Sequence, residues 1–360
     1  MKILQLNFER GWRGGERQTL LCMRQFRDAG HDVQLLARKG GELAQRACQE
    51  GFIVHQHANL FGVPAYLARK GRGFDILHAQ TANMLTWLAV LKPWLGDRIV
   101  FTRRTAFPVS ARREPRTLWK WRRADALVAI SRAAAAEPAR LGLEATIIPS
   151  AVVSKPVDTA HVHAFTQEFN LAGKHVLGTV AAMTSEKDPC TLVRAVHALR
   201  RRRDDFVFVH LGAGGDAQAA THALVKELGL ENHFLFAGFR SAIDDLYRLM
   251  DVFVISSRHE ALGTSVLDAF QYSVPVVATD AGGLAEILAD GRGLLCPVGD
   301  HTAMADAIDL VLSDRGLRAA MIEKARAYVQ QEHDAGTMGL RYLAVYEQLV
   351  ESDPVRGLTP

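Results

Sequence analysis

The sequence predicts an α/β protein built from two doubly wound parallel-sheet domains in tandem. Three observations support this: apolar strands alternate with amphipathic helices, the alternation restarts once, and 360 residues exceed what one hydrophobic core usually serves. Strands that are apolar throughout are typical of a parallel sheet covered by helices on both faces. Ligands of such sheets bind beyond the carboxyl ends of the strands, so we expect a working cleft where two domains face each other.

The first half of the chain contains the first series of elements. Residues 2–7 form a short apolar strand, and Gly14 and Gly15 separate it from a helix that Gly30 ends. A further helix is predicted through MLTWLAVL. The other strands predicted in this half are DVQLLA, FDILHAQ, IVFTRR, ALVAIS and ATIIPS.

The second half repeats the pattern, and the restart fixes the domain boundaries. Its predicted strands are HVLGTVAAM, FVFVHLGAG, HFLFAG, VFVISS and VPVVAT, with helices between them. The stretch SAVVSKPVDTAHVHAF between the two series lacks a clean period and contains Pro156. We therefore expect an N-terminal domain over 1–155, a linker over 156–173 and a C-terminal domain over 174–339. A last helix, at about 340–352, is expected to return to the N-terminal domain.

Composition restricts the class of protein. The net charge of +4 argues against a dedicated nucleic-acid binder. The four cysteines form no close pair, so neither a zinc site nor a disulfide framework is indicated, and no metal or other cofactor is expected. Charged residues follow the start too soon for a signal peptide, and no apolar run is long enough to span a bilayer. We expect a cytoplasmic protein.

The segment SSRHEALGTSVLDAF carries the most specific pattern. Glu260 and Asp268 have seven residues between them, and a helix is expected to begin near Gly263 to Ser265. Unpaired amide groups and the helix dipole make such a start suitable for a phosphate. Carboxylates beside a phosphate make sense only if they accept hydrogen bonds from neutral hydroxyls, and a nucleotide sugar has that composition. Taken alone, the pattern also fits acids that stabilise a helix start.

The surrounding sequence carries a resemblance. The segment from Ser256 to Glu286, which includes PVVATDAGGLAE, resembles the signature of the retaining glycosyltransferases of family 4, typified by sucrose synthase and bacterial lipopolysaccharide and mannosyl transferases. The GT-B fold of that family consists of two Rossmann-like domains. The resemblance covers almost the whole chain. Other matching segments are GGERQTLLCMRQFRDAGHDV, IIPSAV, EKDPCTLVRAV, HLGAGG and FAGFRSAIDDLYRLMDVFVISS.

The resemblance implies a reaction. A sugar would move from a nucleoside diphosphate, with UDP favoured, to a hydroxyl of a glycan or glycolipid in lipopolysaccharide or surface-polysaccharide synthesis, with retention of configuration. Glu260 would contact hydroxyls of the donor sugar, and Lys187 would neutralise the departing diphosphate. Asp268 would bind the ribose. The other donor-binding residues expected are Gly14, Gly15, Gly212, Gly214, Gly238, Phe239, Arg240, Leu262, Gly263 and Thr264.

Two positions depart from the family pattern. Ala182 stands where the family usually has an arginine, so one phosphate cation is missing, and Arg240 is one residue that could replace it. Arg104 stands where the family commonly has a histidine. Arg104 cannot act as a base, but it could bind phosphate or an anionic acceptor, and we include it with Glu260 and Lys187 in the expected catalytic set. His78 and Arg103 are the acceptor-binding candidates.

The segment from Arg103 to Arg123 combines cations with Trp119 and Trp121. Such a composition suits an anionic membrane surface or a phosphorylated glycolipid, which would make the protein peripheral at the inner face of the cell membrane. A solvated helix face with partly buried tryptophans explains it equally well. The run from Arg200 to Arg203 is interpreted as charge that complements a helix C-terminus.

Two alternatives to glycosyl transfer remain open, and a third, a dehydrogenase, is poorly supported. A dehydrogenase is suggested by Gly212, Gly214 and Ala217 after a strand, but the next strand ends without the acid that a dinucleotide ribose requires. A nucleotide-sugar 2-epimerase would share the two-domain architecture. A non-catalytic protein would bind the nucleotide sugar without turnover.

Overall fold

The computed structural model describes residues 1–240 and 242–351, which form two compact units. Of the described residues, the first unit contains Met1–Ala151 and those from Asp334 to Glu351, and the second contains those from Val152 to His333. In each unit a parallel sheet is covered by helices, which confirms the predicted fold class. No helix among the described residues has the length and apolar character needed to cross a bilayer.

The first unit has a parallel sheet of seven strands within the described residues, in the order β3-β2-β1-β4-β5-β6-β7. The strands are β1 (Lys2–Asn7), β2 (Asp32–Arg38), β3 (Ile53–His57), β4 (Ile76–Ala79), β5 (Ile99–Arg103), β6 (Ala126–Ala129) and β7 (Thr146–Ile147). The helices are α1 (Gly14–Asp28), α2 (Glu42–Gln49), α3 (Gly62–Lys70), α4 (Ala82–Leu95), α5 (Glu114–Trp121) and α6 (Arg132–Arg140), with short 3-10 turns at Gly71–Gly73 and Ala111–Arg113.

The second unit has a parallel sheet of six strands within the described residues, in the order β10-β9-β8-β11-β12-β13. The strands are β8 (His175–Val180), β9 (Phe206–Leu211), β10 (Phe234–Gly238), β11 (Val252–Ile255), β12 (Val276–Thr279) and β13 (Leu294–Cys296). The helices are α7 (Thr159–Glu168), α8 (Pro189–Arg200), α9 (Gln218–Glu227), α10 (Asp244–Tyr247), α11 (Thr264–Gln271), α12 (Gly283–Leu288), α13 (His301–Ser313) and α14 (Arg315–Glu332), with a 3-10 turn at Ala289–Gly291.

The last helix, α15 (Ala335–Glu351), belongs to the first unit although it follows the second in sequence. Its Tyr342 and Tyr346 are buried and pack edge-on against Phe26 of α1. Their hydroxyls lie within hydrogen-bonding distance of Thr102 and His78 in strands β5 and β4. The helix therefore completes the core of the N-terminal unit with aromatic packing and buried hydrogen bonds. The expected end of this helix, at residue 352, lies outside the described residues.

The segment from 156 to 173, expected as a linker, contains a helix. The side chain of Asp158 caps helix α7 by accepting hydrogen bonds from the amides of Ala160 and His161. Phe165 of this helix is buried and packs against Phe169. The segment lies in the second unit, whose first described residue is Val152.

Candidate functional site

Lys187 and Glu260 contact each other in the second unit. Lys187 precedes α8 in the loop after β8, and Glu260 lies in the loop between β11 and α11. The Lys187 Nζ forms an ion pair with the Glu260 Oε2, and both side chains are largely covered. Because β8 and β11 are neighbours in a parallel sheet, their carboxyl ends bring these loops together. The structure thus juxtaposes the two residues expected to contact the diphosphate and the donor sugar.

A second ion pair crosses the same two loops. Asp188 is buried and accepts from the Arg258 Nε at 3.0 Å, while the Arg258 amide donates to the Glu186 carbonyl at 2.7 Å. The Ser256 hydroxyl donates at 2.8 Å to the carbonyls of Lys187 and Asp188. These bonds hold the loop backbones in place independently of the Lys187 side chain. A diphosphate could therefore compete with Glu260 for the ammonium group without loosening the loops.

Helix α11 begins at Thr264, as the sequence predicts. Gly263 precedes it with a left-handed backbone (φ 92°) and, as a glycine, offers no side chain to cap the first turn. The Val266 amide already donates to the Gly263 carbonyl at 2.9 Å, so an anion would meet the amides before it, and the helix dipole adds to their attraction. A Cβ at Gly263 would lie 2.8 Å from the Leu284 Cδ2, so a larger residue would disturb this turn.

Asp268 lies one turn into α11 and is buried. Burial raises the pKa of the Tyr272 phenol, and the charges of Asp244 and then Asp268 add to that rise. Asp268 and Glu260 therefore flank the start of one helix, as expected, but Asp268 is the less accessible of the two carboxylates.

The glycine residues after β9 and β10 allow loops to approach closely. Gly212 has φ 137°, and a Cβ there would lie 1.9 Å from the Ala181 carbonyl oxygen. Its amide donates to the Gly238 carbonyl at 2.8 Å, and the Met183 amide donates to the Gly214 carbonyl at 2.8 Å. The loops after β8, β9 and β10 therefore form one contiguous backbone surface beside Lys187.

Phe239 and Arg240 follow β10 and differ in availability. Phe239 is 68% exposed, so its ring can contact a ligand. Arg240 is already engaged, because its Nη2 pairs with the Glu168 Oε1 at 2.5 Å and its Nε donates to the Ala237 carbonyl at 2.9 Å. The guanidinium also lies 5.6 Å from the Phe165 ring centroid. A phosphate would have to compete with Glu168 for this arginine.

In the first unit, Arg104 lies beside the glycine pair at the start of α1. A Cβ at Gly15 would lie 3.6 Å from the Arg104 Cδ. The Arg104 Nε and Nη2 donate to the Gln80 Oε1 at 3.1 and 2.8 Å, and its Nη1 lies 3.4 Å from the Ser150 Oγ. These neutral partners position the guanidinium, and no carboxylate of the described residues forms an ion pair with it. The first unit therefore brings Gly15, Arg104 and Ser150 together.

Comparisons with known proteins bear on what these residues do. The sequence profile "Glycosyl transferases group 1" matches residues 164–328, and "Glycosyltransferase Family 4" matches residues 12–161. A D-inositol 3-phosphate glycosyltransferase from Mycobacteroides abscessus is 32% identical over 318 residues, which cover 82% of this chain and 67% of that protein. This chain belongs to glycosyltransferase family 4.

Other relatives of this family 4 chain agree. A lipopolysaccharide core biosynthesis mannosyltransferase, LpsB, from Rhizobium meliloti is 29% identical over 303 residues, covering 78% of this chain and 81% of that protein. The matched share of a curated relative's own length ranges from 34% in one case to 81% in another. The Anabaena protein HepE, solved with UDP and glucose, superimposes with a TM-score of 0.86 at 21% identity, covering 96% of this chain and 99% of that one. At this identity the likeness shows the GT-B fold alone.

His78 and Arg103 are poorly placed for the acceptor contact expected of them in this family 4 chain. His78 is fully buried, with Nδ1 2.6 Å from the Tyr346 hydroxyl and Nε2 2.7 Å from the Thr102 hydroxyl. Arg103 is buried over the Trp121 ring and donates to the Phe107 carbonyl at 2.6 Å. Both side chains serve the interior of the N-terminal unit, so we do not assign them to the acceptor.

Sequence reasoning missed four polar residues beside the expected ones. Asp188 and Arg258 form the second loop crossing, and Gln80 and Ser150 hold Arg104. One signal was available for the first pair. The charges of Glu186-Lys187-Asp188 alternate in sign, and the charged residues of Arg258-His259-Glu260 can pair with opposite charges among them. No comparable signal connects Gln80 to Arg104, because only the pairing of β4 with β5 brings them together.

Proposed function

We propose that the chain is a retaining glycosyltransferase that moves a sugar from a nucleoside diphosphate, with UDP favoured, to a hydroxyl of a glycan or glycolipid. The observation that carries the proposal is the Lys187–Glu260 contact beside the uncapped start of α11. An ammonium group, the amides at a helix start and a carboxylate are the groups that would bind a sugar diphosphate. The family membership and the lipopolysaccharide mannosyltransferase among the relatives support a surface-glycan acceptor.

In the proposed reaction, the bond between the anomeric carbon and the diphosphate oxygen breaks while the acceptor oxygen bonds to the same face of that carbon. The acceptor proton passes to the departing phosphate. Lys187 and the amides at Leu262, Gly263 and Thr264 would stabilise the negative charge that grows on the diphosphate, and the proposal needs no metal ion. Glu260 would orient the donor sugar by accepting from its hydroxyls, and Asp268 would accept from the ribose.

Arg104 is proposed to bind an anionic group of the donor or the acceptor. Its guanidinium presents a planar fork of N–H donors, which suits phosphate or carboxylate. Arg258 is a candidate for the cation that Ala182 does not provide. Its side chain is 59% exposed and its pairing with Asp188 uses Nε, so the terminal nitrogens remain available.

We also propose that the segment from Arg103 to Arg123 contacts an anionic membrane surface or glycolipid. The two tryptophans of this segment differ in exposure: Trp121 is buried, and Trp119 is 40% exposed. Arg112, Arg113 and Arg116 are exposed on and before α5. Exposed cations beside an exposed indole favour an interface of headgroups and lipid chains.

The reaction is tested by incubating the protein with UDP-, GDP- and ADP-sugars and candidate acceptors, and measuring nucleoside diphosphate release and product configuration. Lys187→Ala should lower turnover by about 100-fold or more, because it removes a charge used mainly in the transition state. Lys174→Ala removes an exposed lysine of the same unit and should leave turnover unchanged. Unchanged turnover in Lys187→Ala would contradict the assigned role.

Glu260→Gln separates binding from turnover. We expect it to lose turnover while retaining nucleotide binding in a thermal-shift assay, since the amides of α11 remain. The same incubation distinguishes the alternatives: an epimerase would convert the nucleotide sugar without acceptor, and a non-catalytic protein would release no diphosphate. A product of inverted configuration would contradict the proposed mechanism.

A further inference from the structure

A cavity of about 600 Å³ lies in the second unit among α8, α9 and the start of α13. It is lined along α8 from Arg194 to Arg202, so it begins in the second turn and extends past the C-terminus of that helix. Lys187 precedes the other end of α8. The cavity therefore uses none of the residues assigned to the donor. Its lining residues are Arg194, His197, Ala198, Arg201, Arg202, Leu224, Glu227, Leu228, His301 and Thr302.

The cavity carries an excess of positive charge. Arg194, His197 and Arg201 occur at spacings of three and four, so Arg194 and His197 lie on one face of α8, and Arg201, its C-terminal cap residue, continues that face. Within the described residues, neither Arg194 nor Arg201 forms an ion pair, whereas Arg202 is paired with Asp306 at 2.5 Å. Glu227 is the single carboxylate in the lining. Two uncompensated guanidinium groups and two imidazoles thus face one carboxylate.

The imidazole of His197 supplies a second observation. Its Nδ1 is buried without a hydrogen-bond partner in the described residues. Buried polar atoms of folded proteins normally have partners, so the unpartnered Nδ1 indicates a group that the protein itself does not provide. Arg194 and Arg201 beside it are exposed, so their guanidinium groups can reach such a group. Like charges on neighbouring turns repel each other, and a bound anion would remove that repulsion.

We propose that this cavity binds a small phosphorylated organic molecule of the size of a sugar phosphate. A guanidinium group can donate two parallel hydrogen bonds to two oxygens of one phosphate, which favours a phosphorylated ligand over an uncharged one. Ala198, Leu224 and Leu228 add apolar lining for the organic part. The cavity volume falls within the range of about 300–1,000 Å³ that is typical of small-molecule sites. The site is independent of the proposed transfer reaction.

The test is calorimetric titration of the full chain with glucose 6-phosphate, glucose and inorganic phosphate, with saturating UDP present to occupy the donor residues. We expect glucose 6-phosphate to bind more tightly than inorganic phosphate, and glucose not to bind. Arg194→Gln/Arg201→Gln should weaken glucose 6-phosphate binding by about tenfold or more, because two charge-assisted hydrogen-bond donors are lost.

The matched control is Arg248→Gln/Arg315→Gln, which removes the same charge from exposed arginines outside the cavity. It should change the affinity less than twofold. Equal weakening in both double variants would reduce the effect to general electrostatic attraction and overturn the proposal, as would the absence of glucose 6-phosphate binding when UDP is present. If inorganic phosphate bound as tightly as glucose 6-phosphate, the proposal that the cavity recognises the organic part of the ligand would be overturned. Because no arm measures turnover, failure here is distinguishable from failure of the proposed reaction.

Discussion

Two glycines of one loop differ in what a side chain would meet. A Cβ at Gly212 would overlap the Ala181 carbonyl oxygen at 1.9 Å, whereas a Cβ at Gly214 would have no atom within 4 Å. Both have positive φ, so both alanine variants carry backbone strain of about 1–2 kcal/mol. Gly212→Ala adds a backbone clash and should lower the free energy of unfolding by about 2–4 kcal/mol.

Urea unfolding followed by far-UV circular dichroism measures both variants. Gly214→Ala is the control for strain alone. Equal destabilisation in the two variants would show that the close approach of the loops at Ala181 does not contribute.

His78 predicts a pH dependence for the N-terminal unit. Burial lowers its pKa well below 6.5, so the folded ring stays neutral while the unfolded chain takes up a proton below pH 6.5. Because the unfolded state then binds more protons, the contribution of His78 to the free energy of unfolding is fully present above pH 6.5 and is lost as the pH decreases below it. The glutamine of His78→Gln can keep polar contacts but does not titrate. Well below pH 6.5, the free energy of unfolding of this variant should therefore fall less steeply than that of the parent, by about 1.4 kcal/mol for each pH unit.

The measurement is urea unfolding at pH 7.5, 6.0 and 5.0 by tryptophan fluorescence. All five tryptophans lie in the first 121 residues, so the signal reports the N-terminal unit alone. His31 and His55 also have lowered pKa values through burial, but they contribute equally in parent and variant. His163→Gln, in the other unit, should match the parent, and a parallel pH dependence in His78→Gln would contradict the assignment.

At the scale of elements, α15 stabilises the N-terminal unit through specific hydrogen bonds. The Tyr346 hydroxyl lies 2.6 Å from the His78 Nδ1 and accepts from the Gln5 Nε2 at 3.2 Å. Tyr346→Phe leaves both buried groups short of a partner and should cost about 1–3 kcal/mol. Tyr66→Phe, in the same unit, should cost less than about 0.5 kcal/mol. Tryptophan fluorescence measures both, and equal values would mean that α15 contributes packing alone.

The two strands that sequence reasoning missed both lie at sheet edges. Strand β1 was placed at its observed bounds because it is apolar and central; of the four edge strands, β7 and β10 were predicted, whereas β3 and β13 were missed. Edge strands are covered less completely, so their sequences need no continuous apolar run, and IVHQH in β3 is an example.

The candidate site was predictable to the extent that it depends on local pattern. The start of α11 and the Glu260 to Asp268 spacing belong to one segment, so they could be placed before the fold was known. The contacts of Arg240 and His78 could not be predicted in this way, because their partners Glu168 and Tyr346 lie 72 and 268 residues away in the chain. Tertiary pairing decides which expected ligand residues are already occupied.

For the whole molecule, the net charge of +4 is small, but cations concentrate in one segment. Arg112, Arg113 and Arg116 are exposed, and Trp119 lies under the Arg123 guanidinium at 4.7 Å. Each exposed cation near an anionic surface contributes about 1 kcal/mol. Removing three with Arg112→Gln/Arg113→Gln/Arg116→Gln should therefore weaken partition onto anionic vesicles by about 100-fold.

Flotation with phosphatidylcholine vesicles, with and without 30% phosphatidylglycerol by design, measures the bound fraction. Binding should require the anionic lipid and should weaken as salt rises from roughly 0.1 to 0.5 M, because salt screens exposed charges. Arg248→Gln/Arg315→Gln/Arg318→Gln removes the same charge elsewhere and should retain binding. If net charge alone caused binding, the two triple variants would behave alike, so equal losses of binding would exclude a dedicated membrane face. Equal flotation with and without phosphatidylglycerol would exclude an electrostatic contact.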